Sequence, residues 1–323
     1  GRERSATIRQ VGLSIMSDEP TAHQIDGILL VDKPGGMTSH DVVAGVRRLV
    51  RPLRVGHTGT LDPLATGLLI LCLGKATRIA SLLQAEYKTY RVELLLGRTT
   101  DTQDIEGNQI EHRRVGEMPA ERIQDVARTF VGSIEQRPPS FSALKVDGVR
   151  AYRLARQKKE VSLKPRRVEI RRFDIEQVRL PVIGFLVECS TGTYVRTICN
   201  DFGEKLGVGG CMQSLRRLNV GRFSVDEAVS LDRLKEKQDV VRELLPLEQA
   251  LEHLPKFTCT GTQAERLLHG MRVAVSSEQF SSASGAGEWK CVYGPDNRVL
   301  AVGTFESEGE EQFFRPKKVL ATS

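Results

Sequence analysis

Apolar and polar positions follow three different rhythms along this chain. GILLVDK (27–33) is an apolar run with β-branched content, followed by Pro34, Gly35 and Gly36, so it reads as a strand ending in a turn. In TSHDVVAGVRRLV (38–50) the apolar positions Val42, Val46 and Leu49 recur at helical spacing. Thr38 or Ser39 supplies the cap, Asp41 suits the first turn, and Pro52 stops the helix. LLILCLG (68–74) is too apolar to be half exposed and reads as a buried strand, with KATRIASLL after it as a short helix. KTYRVELLLG (88–97) alternates, with Tyr90, Val92, Leu94 and Leu96 on one face, as in an antiparallel sheet.

Residues 98–119 read as loop. ERIQDVARTFVG (121–132) predicts an amphipathic helix through Ile123, Val126 and Phe130, ended by Gly132. The segment 136–172 opens with a stiff Pro-Pro, holds a short helix near 149–158 and is otherwise polar and basic. VEIRRFDIEQV and VIGFLVECS predict two further strands, and TYVRTICNDFGEKLG (193–207) a helix closed by Gly207. Residues 226–255 predict a broken helical stretch. After Pro255 the texture changes: 276–288 is a small-residue loop, and CVYGPDNRVLAVGTFE (291–306) is a hairpin turning on Gly-Pro-Asp-Asn. The expected fold is mixed α/β of the α+β type, a largely antiparallel sheet with flanking helices, plus a small separate β-rich domain at 256–323.

With 323 residues, 40% hydrophobic and 27% charged, the chain has the composition of a soluble protein with a full core. No run reaches the length of a membrane span. Residues 1–24 are charged, lack the apolar core of a signal peptide and are expected to be a disordered extension, with 25–255 as the main domain. The six cysteines form no C-x-x-C pair, which points to buried thiols in a reducing compartment rather than to a zinc site. Net charge is +6, yet residues 137–172 alone carry 12 Lys or Arg against three acids. One segment therefore holds the whole basic excess, a pattern suited to a polyanion such as nucleic acid, though also to a solvated basic surface.

The candidate chemistry centres on GHTGTLDPLATG (56–67). Gly56, Gly59 and Gly67 allow close backbone approach, and Pro63 forces Asp62 out of helical geometry. Asp62 is thus held extended at a loop tip just before a buried strand, where a carboxylate can serve as nucleophile, general base or metal ligand. Metal is the weakest of these, since no second acid lies within a few residues. The structural alternative is an Asp-Pro turn bonding its own amides. Tyr90 could simply fill the core. Arg196 sits where a helix dipole disfavours a cation, and a buried arginine there needs a carboxylate; the other reading points it to solvent.

The residues resemble the bacterial tRNA pseudouridine synthase B family. The resemblance is carried by 27–43, 56–78, 88–107, 136–156, 190–197 and 215–223, in order over most of residues 25–225. The C-terminal part is similar to the PUA-like domain of these enzymes. The resemblance implies the pseudouridine synthase fold and isomerisation of uridine to pseudouridine at position 55, in the T loop of tRNA. It implies no cofactor and no metal; a monomer is the default expectation, and a cytoplasmic location is expected. Asp62 falls on the catalytic aspartate, Tyr90 on the active-site tyrosine and Arg196 on the arginine that pairs with the aspartate. His57 falls on the histidine inserted near displaced bases; Tyr194, Lys33 and Leu215 fall on active-site positions. The basic segment resembles the RNA-binding thumb, which makes Lys145, Arg150, Arg153, Arg156, Lys158, Lys159, Lys164, Arg166 and Arg167 candidate RNA contacts. Attack of Asp62 on the ribose C1′ and formation of a glycal both remain open.

Such a reaction takes a base out of its stack, so flat side chains must fill the vacated space, and an RNA loop is read by shape, stacking and phosphate contact. Two rivals stand beside it. A retaining glycosidase needs two carboxylates flanking the bond, and no second loop-tip carboxylate is offered. An RNA-binding module without catalysis would leave Asp62 dispensable.

Overall fold

The computed structural model describes residues 25–84, 87–139, 145–146, 149–150, 164–283 and 288–321. The N-terminal half contributes β1 (Gly27–Lys33), α1 (Ser39–Leu49), β2 (Val55–Thr58), β3 (Thr66–Leu73), β4 (Tyr87–Leu96), β5 (Arg98–Thr100), β6 (Gln109–His112), α2 (Ala120–Arg128) and β7 (Gly132–Gln136). Next come the two-residue strands β8 (Lys145–Val146) and β9 (Val149–Arg150), then β10 (Arg166–Arg179), β11 (Val182–Ser190), α3 (Val195–Lys205) and β12 (Gly210–Val220). Short pieces come after it: β13 (Phe223–Ser224), β14 (Val229–Ser230), α4 (Lys237–Glu243), β15 (Leu245–Pro246) and α5 (Leu247–Ala250). The C-terminal unit holds β16 (Lys256–Thr258), α6 (Gly261–Leu268), β17 (Val273–Ala274), α7 (Ser277–Ser282), β18 (Lys290–Tyr293), β19 (Val299–Glu308) and β20 (Glu311–Val319).

The main sheet runs β14-β1-β3-β12-β4-β11-β10-β7, with β2, β13 and β15 attached at its sides. Its pairings are antiparallel except β1 with β14 and β3 with β12. The mixed α/β class with a largely antiparallel sheet is the architecture expected from the sequence.

The unbroken apolar runs of β1 and β3 have a simple cause. Leu29, Val31, Leu69 and Leu71 point into a core shared with α1, whereas Ile28, Leu30, Leu68 and Ile70 point the opposite way. That second face is buried in a core with Ala76, Ile79, Leu247 and Leu251, which also includes Cys291, Val299, Val302 and Leu320 of the C-terminal part, so both faces of the two strands are buried. In β4 only one face is covered, and Arg91 and Glu93 alternate outward with Tyr90, Val92 and Leu94 inward. The C-terminal sheet, ordered β16-β18-β19-β20-β17, also has its own core around Phe257, Leu267 and Phe314. The C-terminal part thus shares one core with the main sheet and has a second of its own.

Several elements differ from the sequence expectation. Helix α2 ends at Arg128, and Gly132, at φ +103°, instead opens β7. Residues 98–119 contain the β5–β6 hairpin, whose second strand is wholly exposed and so carries no apolar alternation. The expected helix near 149–158 begins as strand β9, and 151–163 lie outside the described residues, as do 1–24. KATRIASLL forms a 3-10 helix over Gly74–Ile79. The stretch 226–255 is cut into 3-10 turns, two-residue strands and two short helices. Ser277–Ser282 is helical rather than loop, because Ser276 and Gln279 form a reciprocal cap. Strand β12 is not signalled by the sequence, because Gln213, Ser214, Arg216, Arg217 and Asn219 hide its strand character. Among the described residues no helix is long and apolar enough to cross a membrane.

Candidate active site

The Asp62 loop joins β2 to β3, and its shape is set by backbone contacts from the β1–α1 junction. Ser39 Oγ accepts from Leu61 N at 2.9 Å and donates to Leu61 O at 3.1 Å. Gly36 N donates to Pro63 O at 2.9 Å, and Ala65 N to Asp62 O at 3.0 Å. Lys33, fully buried, donates from Nζ to Pro34 O at 2.8 Å, Met37 O at 2.6 Å and Pro63 O at 3.3 Å. Burial lowers the Lys33 ammonium from its ordinary value, while Asp62 opposes that and Arg217 adds to it. Lys33 therefore supports the loop from below and is absent from the lining of the cleft above it. Helix α1 is fixed in turn by Thr38, whose hydroxyl accepts from Asp41 N while Asp41 accepts from Thr38 N.

Gly67 shows how tightly β3 is drawn to β12. It has φ +98°, and a Cβ there would lie 2.3 Å from Arg217 O, so only glycine permits this parallel pairing.

Above the loop lies a cleft of about 660 Å³. Asp62, Tyr90, Tyr194, Arg196 and Leu215 all line it, although they come from a loop, β4, the start of α3 and β12. The Asp62 carboxylate is 45% exposed, and its Oδ2 lies 3.1 Å from Arg196 Nε. Arg196 is itself buried. Its Nη1 donates to Thr102 O at 3.0 Å and lies 3.5 Å from Asp104 Oδ2. The cation at the helix start is thus held by two carboxylates, which offsets both its burial and the unfavourable dipole.

Tyr90 packs on the cleft floor, and burial pushes its phenol up to about 12, so it is a neutral hydroxyl at neutral pH. It hydrogen-bonds Arg217, which is fully buried and also donates to Leu68 O at 2.7 Å and Gly59 O at 3.2 Å. Burial lowers Arg217 from its ordinary value. Tyr194 caps α3, and Gln136 of β7 fixes it with two bonds: Tyr194 N to Gln136 Oε1 at 2.7 Å and Gln136 Nε2 to Tyr194 O at 2.9 Å. The Arg166 guanidinium lies 4.5 Å from the Tyr194 ring centroid.

His57 stands apart. It sits on β2 outside the cleft lining, edge-on to His40 with ring centroids 5.6 Å apart, and its buried Nδ1 has no partner among the described residues. Burial first, then His40 and Arg217, lower it from the usual imidazole value. Of the basic candidates, Arg166 lines the cleft, and Lys164 and Arg167 are exposed beside it. Lys145 and Arg150 are cross-strand partners in the β8–β9 hairpin. Arg153, Arg156, Lys158 and Lys159 lie outside the described residues.

Sequence reasoning missed Asp104, Gln136, Lys88 and Arg217. For Arg217 the sequence carries no signal of its own; once β12 has formed, Arg216 and Arg217 are adjacent in it and face opposite ways. Arg216 goes outward to Asp32, at 2.7 and 2.9 Å, and Arg217 goes inward. Among the described residues no group of three or more His, Cys, Asp or Glu is placed to hold a metal ion.

Comparison with known proteins gives the family of the chain. Residues 47–195 match the family described as TruB family pseudouridylate synthase (N terminal domain), and 196–254 match the tRNA pseudouridylate synthase B C-terminal domain. The tRNA pseudouridine synthase B of Syntrophotalea carbinolica is 44% identical over 299 residues, covering 90% of this chain and 97% of the relative. That of Clostridium kluyveri is 39% identical, covering 86% of this chain and 95% of the relative. Among solved structures, a chain of a Cbf5-Nop10-Gar1 complex superposes with a TM-score of 0.70 at 26% identity, over 93% of this chain and 86% of its own. A chain of an H/ACA RNP bound to a substrate RNA containing 2′-deoxyuridine shares the fold, with a TM-score of 0.69 at 24% identity over 93% of this chain and 86% of its own. With two family domains matched in series and near-full-length relatives above 30% identity, the chain belongs to the TruB family of pseudouridylate synthases.

Proposed function

We propose that this protein isomerises uridine to pseudouridine at position 55 in the T loop of tRNA, with Asp62 as the group that acts on the ribose. The observation that carries the reading is the Asp62–Arg196 pair, 3.1 Å apart, in a cleft floored by Tyr90. The relatives named tRNA pseudouridine synthase B support the substrate class.

The target uridine leaves its stack and enters the cleft, where its base lies on the Tyr90 ring. Asp62 either bonds C1′ or removes the C2′ proton. The C1′–N1 bond breaks, the uracil turns, C5 joins C1′ as Asp62 leaves C1′ or returns the proton to C2′, C5 loses its proton and N1 gains one. Arg196 sets the direction of the Asp62 carboxylate and offsets its charge. The two bonds from Gln136 fix the Tyr194 backbone at the start of α3. Lys164, Arg166 and Arg167 contact the phosphates of the T arm, and the rest of the basic segment 137–172 closes over it. His57 fills space left by displaced bases above β2. The protein works in the cytoplasm as a monomer, with 25–255 as catalytic domain and 256–323 as a PUA-like RNA-binding domain.

The test is tritium release from an unmodified tRNA transcript labelled at uracil C5. Release by the intact protein and none by Asp62→Asn, with the modified position mapped to 55, is the expected result. No release by the intact protein despite tRNA binding would reject the reading and favour a binding module.

A further inference from the structure

Lys88 lies on the floor of the cleft and has no role in the chemistry described so far. It sits on β4 two residues before Tyr90, so both side chains emerge on the same face of the strand, about 7 Å apart along it. It is 8% exposed. Four cations line the cleft, and two of them, Arg196 and Arg217, are held by acceptors among the described residues. Arg196 is held by Asp62 and Asp104. Arg217 donates to two carbonyls and bonds the Tyr90 hydroxyl. Arg166 lies over Tyr194 at the rim, where its Nε has no hydrogen-bond partner among the described residues and the RNA phosphates are its proposed partner.

Lys88 has one hydrogen bond, from Nζ to Thr191 Oγ1 at 3.4 Å, and no carboxylate partner among the described residues. An ammonium carries three donors, so at least two of its N–H groups find no protein acceptor there. A buried cation left in this state calls for an anion from outside the protein. Burial and the neighbouring Arg217 lower Lys88 from its ordinary value, a cost that an anionic ligand would remove.

The proposed reaction supplies such an anion. When C1′–N1 breaks, the bonding electron pair leaves with the uracil and is shared between N1 and the carbonyl oxygens of the base. Asp62 gives up its negative charge at the same moment, either to a C1′–O bond or by taking the C2′ proton. Negative charge therefore moves from beside Arg196 to the base on Tyr90. We propose that Lys88 is a further catalytic residue, which donates a hydrogen bond to a uracil oxygen and stabilises the detached uracil anion. The inference rests on the isomerase reading. After rotation C5 bonds C1′, C5 loses its proton and N1 gains one, so the base is neutral again and Lys88 keeps its proton throughout.

The experiment compares Lys88→Met and Lys88→Arg with the intact protein in single-turnover reactions at saturating enzyme, alongside tRNA affinity and melting temperature. Removing one preorganised donor to a developing oxyanion lowers the rate about 10²–10³-fold. That loss is expected for Lys88→Met, with tRNA affinity and melting unchanged, while Lys88→Arg restores most of the rate. A second substrate separates this from a structural role. In tRNA containing 5-fluorouridine the fluorine stabilises the uracil anion, so the Lys88→Met defect in base detachment should shrink relative to the intact protein. A Lys88→Met rate within about threefold of the intact protein would overturn the inference, as would a defect confined to tRNA affinity, which would mark a phosphate contact. Absence of tritium release by the intact protein would instead overturn the isomerase reading and this inference with it.

Discussion

Arg196 Nη1 lies 3.5 Å from Asp104 Oδ2, so the arginine that meets Asp62 is shared with a second, buried carboxylate. Asp104 is set by its own turn: its Oδ1 accepts from the Thr102 hydroxyl at 2.7 Å and from Glu106 N at 3.1 Å. Asp104→Asn can keep these two bonds and loses the charge. Without it Arg196 is less firmly placed, and a small displacement of a catalytic group costs up to about 100-fold in rate. The expected outcome is a single-turnover rate reduced about 10–100-fold at unchanged tRNA affinity, and non-additivity with Arg196→Lys in a double-mutant cycle. Additive losses would separate Asp104 from the Asp62–Arg196 pair.

The approach of β3 to β12 predicts a structural lesion. Gly67→Ala places a methyl 2.3 Å from Arg217 O at φ +98°, where backbone cannot yield cheaply. Strained backbone and overpacking together cost about 2–4 kcal/mol. Thermal unfolding should show that loss. Activity should fall with it, because Arg217 and the Asp62 loop meet at this contact. A melting temperature equal to that of the intact protein would show that the two strands separate without penalty.

Acid should weaken the fold through His57. Its imidazole value is lowered in the folded state by burial, by His40 and by Arg217. Above the ordinary value of 6.5 both folded and unfolded forms are neutral, and the fold carries no penalty. As pH falls from there towards the lowered folded value, the unfolded chain binds the proton first and stability drops. Chemical denaturation at pH 7.5 and at pH 5.5 should show a smaller difference for His57→Gln than for the intact protein; an unchanged slope would remove His57 as its source.

RNA contact at the rim predicts a salt signature. Arg167 is exposed on β10 next to Arg166, and a phosphate contact there releases about one counterion on binding. Arg167→Ala should weaken tRNA binding at low salt and flatten the plot of log affinity against log salt by about 0.7–0.9. Parallel plots for the two proteins would place Arg167 off the RNA path.

Much of this was legible one element at a time. Tyr90, Val92 and Leu94 alternate because one face of β4 is solvated, and that rhythm survives in the sequence. The Thr38–Asp41 cap is local and equally readable. Strand β12 was not, because Arg216 satisfies its charge with Asp32, 184 residues away in sequence, and Arg217 with carbonyls of the Asp62 loop and β3. A buried arginine looks the same in sequence as an exposed one. Helix α2 and Gly132 show the same limit at a boundary, since a glycine with positive φ closes a helix or opens a strand according to the pairing of the next residues.

The sequence by itself determined the rhythm of strands and helices, the punctuated loop that holds Asp62 extended before Pro63, the basic excess of 137–172 and the family. These come from local sterics, periodicity and composition, which need no knowledge of distant neighbours. The Asp62–Arg196 pair was implied by the family resemblance; tertiary structure alone decided its geometry, that Asp104 shares the same arginine, that Lys33 lies beneath the loop while Lys88 faces the cleft, and that His57 stands outside it. Each of these depends on the register in which β1, β3, β12 and β4 align. Register is fixed by burying both faces of β1 and β3 at once, a condition on the whole sheet that no single segment carries.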